Sequence, residues 1–414
     1  MAWNWRFLFC KGNPAQLELY ISSFSLTGSQ IHNTDFIFFC YRTIQCYECR
    51  MKEAANMGRN YYIDNLRWLA ILLLFPFHAA QIWSGGEYSG FYIWSHTSTV
   101  FYVFSTAVYP WYMTFLFAIA GMSCKYSLLK RTSKQFVVER IKKLVIPFFF
   151  GLLVLIPIMT YTAEIFFNGY TGTYWQQYEL FFTQKTDLTG YHGGFTPAHL
   201  WFLLYLFVIS LMVLLIICLQ KKCLPKFRVG SLSYFCLILL FVPEWFCLYA
   251  LNIGGKSLGQ FMLLFLFGYY ILSEESILKK LQRYRLVSLL FFVMSGSLYT
   301  YLYCLKNIRN ILMDGLYIFY GWMGIIMLLG IGQSKLNFHN RISIYLTQAS
   351  FPVYILHMPI LVVVGFFALQ LSIGVAGQFL LIVLISFVAT CLIYEIVKRM
   401  PVLRFFLGMT KEKL

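Results

Sequence analysis

Residues 67–83 read RWLAILLLFPFHAAQIW. The run is apolar enough for a membrane span, yet it carries Arg67 at its start and His78 eleven residues on. Ionisable side chains are costly in hydrocarbon, so inside a span they are functional-site candidates. Eleven residues make close to three helical turns and about 16 Å of rise, which puts Arg67 and His78 on one face. With Arg67 at the membrane edge, His78 is expected near the middle of a hydrocarbon core of about 30 Å. A neutral imidazole there can take or give a proton near neutral pH. Pro76 is expected to loosen the helix beside it. Asp64 is expected to cap the helix start with its carboxylate. The plainer reading is that Arg67 anchors the span and His78 is a packed, satisfied polar residue.

The rest of the 414-residue chain has the same character. It is 59% hydrophobic and 12% charged, about half the charged share of soluble proteins. Backbone groups in lipid must bond within their own segment, so the apolar runs are expected to be helices. The fold class expected is an all-α integral membrane protein. Ten transmembrane helices are expected, at 66–84, 103–123, 144–162, 199–219, 231–251, 257–273, 286–305, 311–332, 349–368 and 374–396. The net charge of +17 would suit a nucleic-acid partner, but its distribution argues against one. Of 33 Lys and Arg, only Lys185, Lys256, Lys306 and Arg309 fall in loops on one side of those spans. This is the positive-inside pattern, and it places both termini in the cytoplasm. A multi-pass protein of the plasma membrane follows, with the lipid bilayer as its first partner and its oligomeric state open.

Residues 1–56 differ from the remainder: they hold scattered polar residues and no span-length apolar run. They also lack the pattern of a signal peptide. Translation is expected to start at Met51 or Met57, which makes 1–56 an extension of doubtful authenticity. The transmembrane domain is expected over 58–400, with a cytoplasmic tail at 401–414. Cys46 and Cys49 form an isolated C-x-x-C without the second pair that a zinc site needs. No metal ligands are assigned.

Three further constellations carry chemistry. Glu139-Arg140-Ile141-Lys142-Lys143 precedes Pro147 at the start of the third span. Arg140 and Lys143, three apart, share a helix face and suit the phosphates of a cytosolic ligand such as coenzyme A; an ordinary basic anchor is the alternative. His199 and Trp201 open the fourth span, as an acceptor-side pair or as plain interfacial residues. Thr347, Ser350, Tyr354 and His357 form a polar stripe down the ninth span, which must face protein or a water-filled cavity. By depth, His357 is expected to meet His78. Asp314, Glu244 and Glu395 receive no role.

Together these strings resemble the membrane-bound acyltransferase-3 family. The matching stretches are YIDNLRWLAILLLFPFHA, FLFAIAGMS with the downstream ERIKKLVIPFFFG, HLWFLLYL, SFPVYILHMPI and the closing EIVKRMPVLRFFLG, in the expected order. The resemblance implies an O-acyltransferase that moves an acyl group, expected to be acetyl, from cytosolic acyl-CoA to an extracytoplasmic or lipid-linked carbohydrate acceptor. It implies catalytic roles for His78 and Arg67 and acyl-CoA binding by Arg140 and Lys143. Asp64, Tyr354, His357, His199 and Trp201 are then candidates to line the site. Acyl-CoA is a substrate, and no tightly bound cofactor is expected. Where many members carry a second arginine in the basic pair, this chain has Lys143, a point charge rather than a bidentate fork. The rival class is a transporter or flippase for a lipid or sugar, without covalent chemistry.

Overall fold

Prolines, glycines and side-chain caps set where the apolar runs become helices and where those helices break. The structure, a computed structural model, describes residues 60–85, 91–183, 194–223 and 229–409. The expectations for residues 1–56 and for Lys185 lie outside the described residues. In chain order the helices begin with α1 (Tyr61–Gln81), α2 (Thr99–Lys130) and α3 (Ser133–Asn168). A short α4 (Tyr174–Thr183) precedes α5 (Trp201–Cys223). Then come α6 (Tyr234–Cys247), a ribbon of β1 (Asn252–Ile253) with β2 (Lys256–Ser257), α7 (Leu258–Leu272) and α8 (Glu275–Arg283). The remainder is α9 (Arg285–Leu305), α10 (Ile311–Lys335), α11 (Arg341–Ala368), α12 (Val375–Arg399) and α13 (Pro401–Phe406).

The fold is all-α and membrane-spanning in character. Among the described residues, eight helices are long and apolar enough to cross a bilayer: α1, α2, α3, α5, α9, α10, α11 and α12. The other two of the ten expected spans take different forms. The 231–251 run is the short α6, broken after Ile238 before a second piece that starts at Phe241. Pro243 explains the break, since its ring would strike the carbonyl four residues back. The 257–273 run is α7, which meets α8 at a bend of 95°.

Helix α1 starts six residues before Arg67, so Asp64 is inside the first turn and is not the N-cap. Free N–H groups there are met from another element: Tyr62 N–H donates to Asn337 Oδ1 at 3.3 Å. Asn65 Nδ2 donates to the carbonyls of Leu336 and Phe338 at 2.6 and 2.8 Å, clasping the α10–α11 loop to α1. In α3, i→i+5 turns at Ile141–Val145 and Gly151–Leu155 each sit just ahead of a proline, Pro147 and Pro157. The wider turn moves a carbonyl away from each ring and absorbs the missing N–H. The Arg140–Lys143 spacing is therefore read along a widened turn, not along a regular α-helical face. Residues 401–409 of the expected tail fold back on α3, with Phe406 stacked on Phe150 at 5.4 Å between ring centres.

Helices α1, α2, α10 and α11 form the centre: α1 packs against the other three, and α2 also packs on α10. The apolar windows of α10 and α11 are 72% and 67% buried, while those of α9 and α12 fall to 22% and 28%. The last two therefore present their apolar faces outward, as lipid-facing helices do. Helices α2 and α7 meet backbone to backbone. A Cβ at Gly121 would overlap the Phe265 carbonyl, and one at Gly268 would overlap that of Ala118. This reciprocal contact is the packing reason for the glycine in FLFAIAGMS.

Gly121→Leu is expected to destabilise the fold by about 1–3 kcal/mol through overpacking. Gly374→Ala, where an added Cβ meets nothing within 4 Å, is expected to leave the midpoint unchanged. Thermal unfolding of the two detergent-solubilised variants side by side checks this; equal midpoints would remove the close-contact account.

Candidate active site

His78 is in the last turn of α1. That helix is about 31 Å long and His78 is about 26 Å along it, near the far end and not at the middle. The depth of His78 in a bilayer follows from where the membrane edge falls along α1, which begins six residues before Arg67. His78 meets His357 of α11 at 5.3 Å between ring centres, and His357 meets His199 at the same distance. Three imidazoles from three separate stretches of chain are thus gathered at one point. Phe77 and Phe91 flank the His78 ring at 5.2 and 6.3 Å, and Phe75 lies against His357 at 5.7 Å.

Prolines arrange the other two histidines. Pro359 has no N–H, so the Ile355 carbonyl four residues back has no helical donor. His199 Nε2 supplies one at 3.0 Å. His357 Nδ1 donates to its own Tyr354 carbonyl at 2.6 Å. Because both partners are acceptors only, these bonds assign the hydrogens to Nε2 of His199 and Nδ1 of His357. The lone pairs then lie on His199 Nδ1 and His357 Nε2. Both atoms are enclosed without a hydrogen-bond partner, as is His78 Nδ1. His357 is fully buried, and His78 is half-buried as a residue with its Nδ1 enclosed.

His199 itself stands on a single 3-10 turn, Ala198–Leu200. Ala198 has φ of 46°, a left-handed conformation that L-residues seldom adopt. Thr196 Oγ1 accepts from the Ala198 N–H at 3.1 Å, and the Tyr354 hydroxyl donates to the His199 carbonyl. Strain held by surrounding bonds is typical of functional positions. Tyr354 is thus a positioning residue, its hydroxyl already engaged with the His199 backbone.

A cavity of about 380 Å³ extends from a basic rim to Tyr354, and its lining includes none of the three histidines. Arg67, Arg131, Glu139, Arg140 and Lys143 line its rim, and Ile71, Leu116, Phe202 and Tyr354 line its depth. Along α2 it runs from Ser127 and Ser123 to Leu116, and along α11 from Thr347 and Ser350 to Tyr354. Tyr354 is one helical turn from His357.

Most rim charges are already paired. Arg67 donates to Asp64 Oδ1 at 3.0 Å and to Ser123 Oγ at 2.8 Å. Glu139 accepts from Arg131 Nε at 2.9 Å and Lys143 Nζ at 2.7 Å. Arg140 has no carboxylate partner among the described residues, and its guanidinium lies 4.7 Å from the Phe136 ring centre. It is the cation most open to an anionic ligand. Among the described residues, no group of three or more His, Cys, Asp or Glu side chains is placed to hold a metal ion.

The structure therefore divides the expected site residues. His78, His199 and His357 come together, with Tyr354 behind them. Arg67 joins Arg140 and Lys143 at the rim and has no described contact with His78, and Asp64 holds Arg67. Trp201 turns away from the basic cavity into a second one on the other side. Sequence reading missed Arg131, one of several basic residues in 125–143, and Ser123, which closes FLFAIAGMS. It also missed Phe91, whose contact with His78 depends on a loop with no span signal.

A family profile described as an acyltransferase domain matches residues 60–395, which covers the bundle from α1 almost to the end of α12. No curated protein and no solved structure matches the chain.

Pro359→Ala is expected to give residue 359 an N–H that competes for the Ile355 carbonyl. His199 should then lose its fixed tautomer, along with a net hydrogen-bond contribution of about 1 kcal/mol. Nitrogen-15 NMR of histidine-labelled protein reads the ring directly; a His199 signature unchanged from the parent would show that another contact sets its orientation.

Proposed function

The chain belongs to the acyltransferase-3 family, and on that footing we propose that it is an integral membrane O-acyltransferase of the cell membrane. It transfers an acyl group, expected to be acetyl, from cytosolic acyl-CoA to a hydroxyl of an extracytoplasmic or lipid-linked carbohydrate. The observation that supports this best is the cavity that runs from Arg140, without a carboxylate partner among the described residues, to Tyr354, on the helix that carries His357 of the three-histidine cluster. It offers phosphate-binding charge at one end and, at the other, Tyr354, one helical turn from His357.

In this reading the rim holds the CoA phosphates. Arg140 provides bidentate donors, and Lys143 and Arg131 add charge that they now share with Glu139. Arg67 acts at the rim on the donor, held in place by Asp64 and Ser123. The thioester end enters the deeper part of the cavity, beside Tyr354. At the cluster, His78 takes the proton of the acceptor hydroxyl as that oxygen bonds to the thioester carbonyl carbon. The carbonyl C–S bond then breaks, and the CoA thiolate leaves and receives that proton from His78. Attack by His78 itself, through an acyl-imidazole, reaches the same products in two steps. His357 stands next to His78, and His199 next to His357, each with a lone pair on its second nitrogen. The enclosed surroundings exclude water, which would otherwise hydrolyse the thioester.

His78→Ala is expected to lower CoA thiol release in proteoliposomes by about a hundredfold or more, the usual scale for a general base. The variant should keep the parent's size-exclusion profile, and activity near that of the parent would end the catalytic assignment. Arg140→Ala is expected to raise the apparent KM for acetyl-CoA by about tenfold with little change in kcat, as loss of a charge-assisted contact does. An unchanged KM would count against phosphate binding at the rim. Mass spectrometry of envelope glycans and lipids from a deletion strain and its parent should show a lost acyl increment. A carrier without covalent chemistry would leave every acyl increment in place.

A further inference from the structure

The second cavity, of about 640 Å³, lies beside Tyr109, Met113 and Thr114 of α2, on the side away from the basic rim. From Tyr109 to Lys130 that helix rises roughly 32 Å. Aromatic rings of Tyr109, Trp201, Tyr303 and Tyr317 supply much of its wall. Two cations reach it, Lys256 from β2 and Arg309 from the α9–α10 loop. Among the described residues neither has a carboxylate partner. Lys256 Nζ donates to the Tyr109 hydroxyl at 2.6 Å and lies 5.4 Å from the Trp201 ring centre. Arg309 stacks on Tyr303 at 3.3 Å and donates to the Tyr303 carbonyl at 2.7 Å. Aromatic contact orients both cations without neutralising them. The acid in the lining, Asp314, accepts from the Tyr249 hydroxyl.

The floor is built as well as lined. Gln260 donates its Nε2 to Glu244 Oε1 at 3.0 Å. Glu244 is 1% exposed, and its Oε2 is enclosed without a partner. With its Nε2 given to Glu244, Gln260 is left with its carbonyl oxygen for a ligand hydroxyl. Trp201 follows His199 by two residues. With Phe117, Phe202 and Phe261 it forms an aromatic partition, in which Phe202 lines the basic cavity and Trp201 and Phe261 line this one.

The geometry points to this cavity as the acceptor site, specific for a carbohydrate that carries an anionic group, phosphate or carboxylate. Its volume is within the common range for ligand pockets, about 300–1,000 Å³. Sugar faces lie on the tyrosine and tryptophan rings, hydroxyls meet Gln260, and the anion bridges Lys256 and Arg309. The assignment rests on the acyl-transfer reading, because it names the acceptor that the donor cavity serves.

Binding without acyl-CoA keeps the two claims separable. Saturation-transfer NMR on the full chain in nanodiscs would compare glucose 1-phosphate, glucuronic acid and glucose. One or both anionic sugars should bind at least tenfold more tightly than glucose, and which one does so identifies phosphate or carboxylate as the group read. Lys256→Met with Arg309→Ala should abolish that preference, and Lys256→Arg with Arg309→Lys should retain it. Equal binding of all three sugars, no binding of any, or a preference that survives the double removal would overturn the proposal. Acetyl-CoA binding by the same preparations, unaffected by these substitutions, reports on the donor cavity alone.

Discussion

The carbonyl of Ile355 has no helical donor because residue 359 is proline, and the side chain that satisfies it is His199. In an apolar interior an unmet carbonyl costs about 1–3 kcal/mol, so this bond is a strong constraint. It ties the start of α5 to the middle of α11. The same contact carries His199 up to His357, and α11 in turn brings His357 to His78 on α1. Three segments far apart in the chain converge because one backbone group was left without its own N–H. The Tyr354 hydroxyl on the His199 carbonyl closes the loop from the other direction. The strained φ at Ala198 is held between these two bonds.

Much of this was legible in residue spacing, and the limits have physical causes. The Arg67–His78 register placed both side chains on one face, and the stripe from Thr347 to His357 correctly suggested an inward polar surface. Periodicity reports which residues share a face but not which neighbour that face meets. His199 therefore read equally well as an interfacial residue until a proline 160 positions later supplied its partner. Asp64 failed as a cap because the helix starts earlier, where Asn337 from another loop meets the free N–H. Hydropathy found the 231–251 run but could not weigh Pro243 against it, so a full span was expected where α6 is short. Arg67 was read as sharing a helix face with His78 from the membrane edge. Along the axis the two stand about 16 Å apart, and Arg67 answers to Asp64 and Ser123.

The rim shows why net charge alone is a poor guide to binding. Several cations crowd the start of α3, but Glu139 takes two of them and Asp64 a third. Of the four cations that line this cavity, Arg140 is the one with no carboxylate partner among the described residues, and it is held over Phe136. A cation set on an aromatic ring keeps its charge without a carboxylate, whereas one in an ion pair must exchange partners before it can bind. Lys256 and Arg309 repeat this device at the opposite end of the bundle, on Tyr109, Trp201 and Tyr303. The two ends thus offer unpaired positive charge to two different cavities, with a wall of phenylalanine and tryptophan rings between them.

That division bears on the chemistry proposed for the histidines. Acyl transfer from a thioester to an alcohol moves one proton from oxygen to sulfur, with no net uptake from either side of the membrane. A site for it needs a group that holds a proton briefly and returns it, shielded from bulk water. Three imidazoles meet that need, two of them with one nitrogen fixed as a donor to a backbone carbonyl and the other left bare. A proton-coupled carrier needs more: a relay that exchanges with solvent on each side in turn. His357 is fully enclosed and the aromatic partition stands between the two cavities. Acyl transfer through the same site requires that partition to open, so that the acceptor hydroxyl meets the thioester while both reactants are bound.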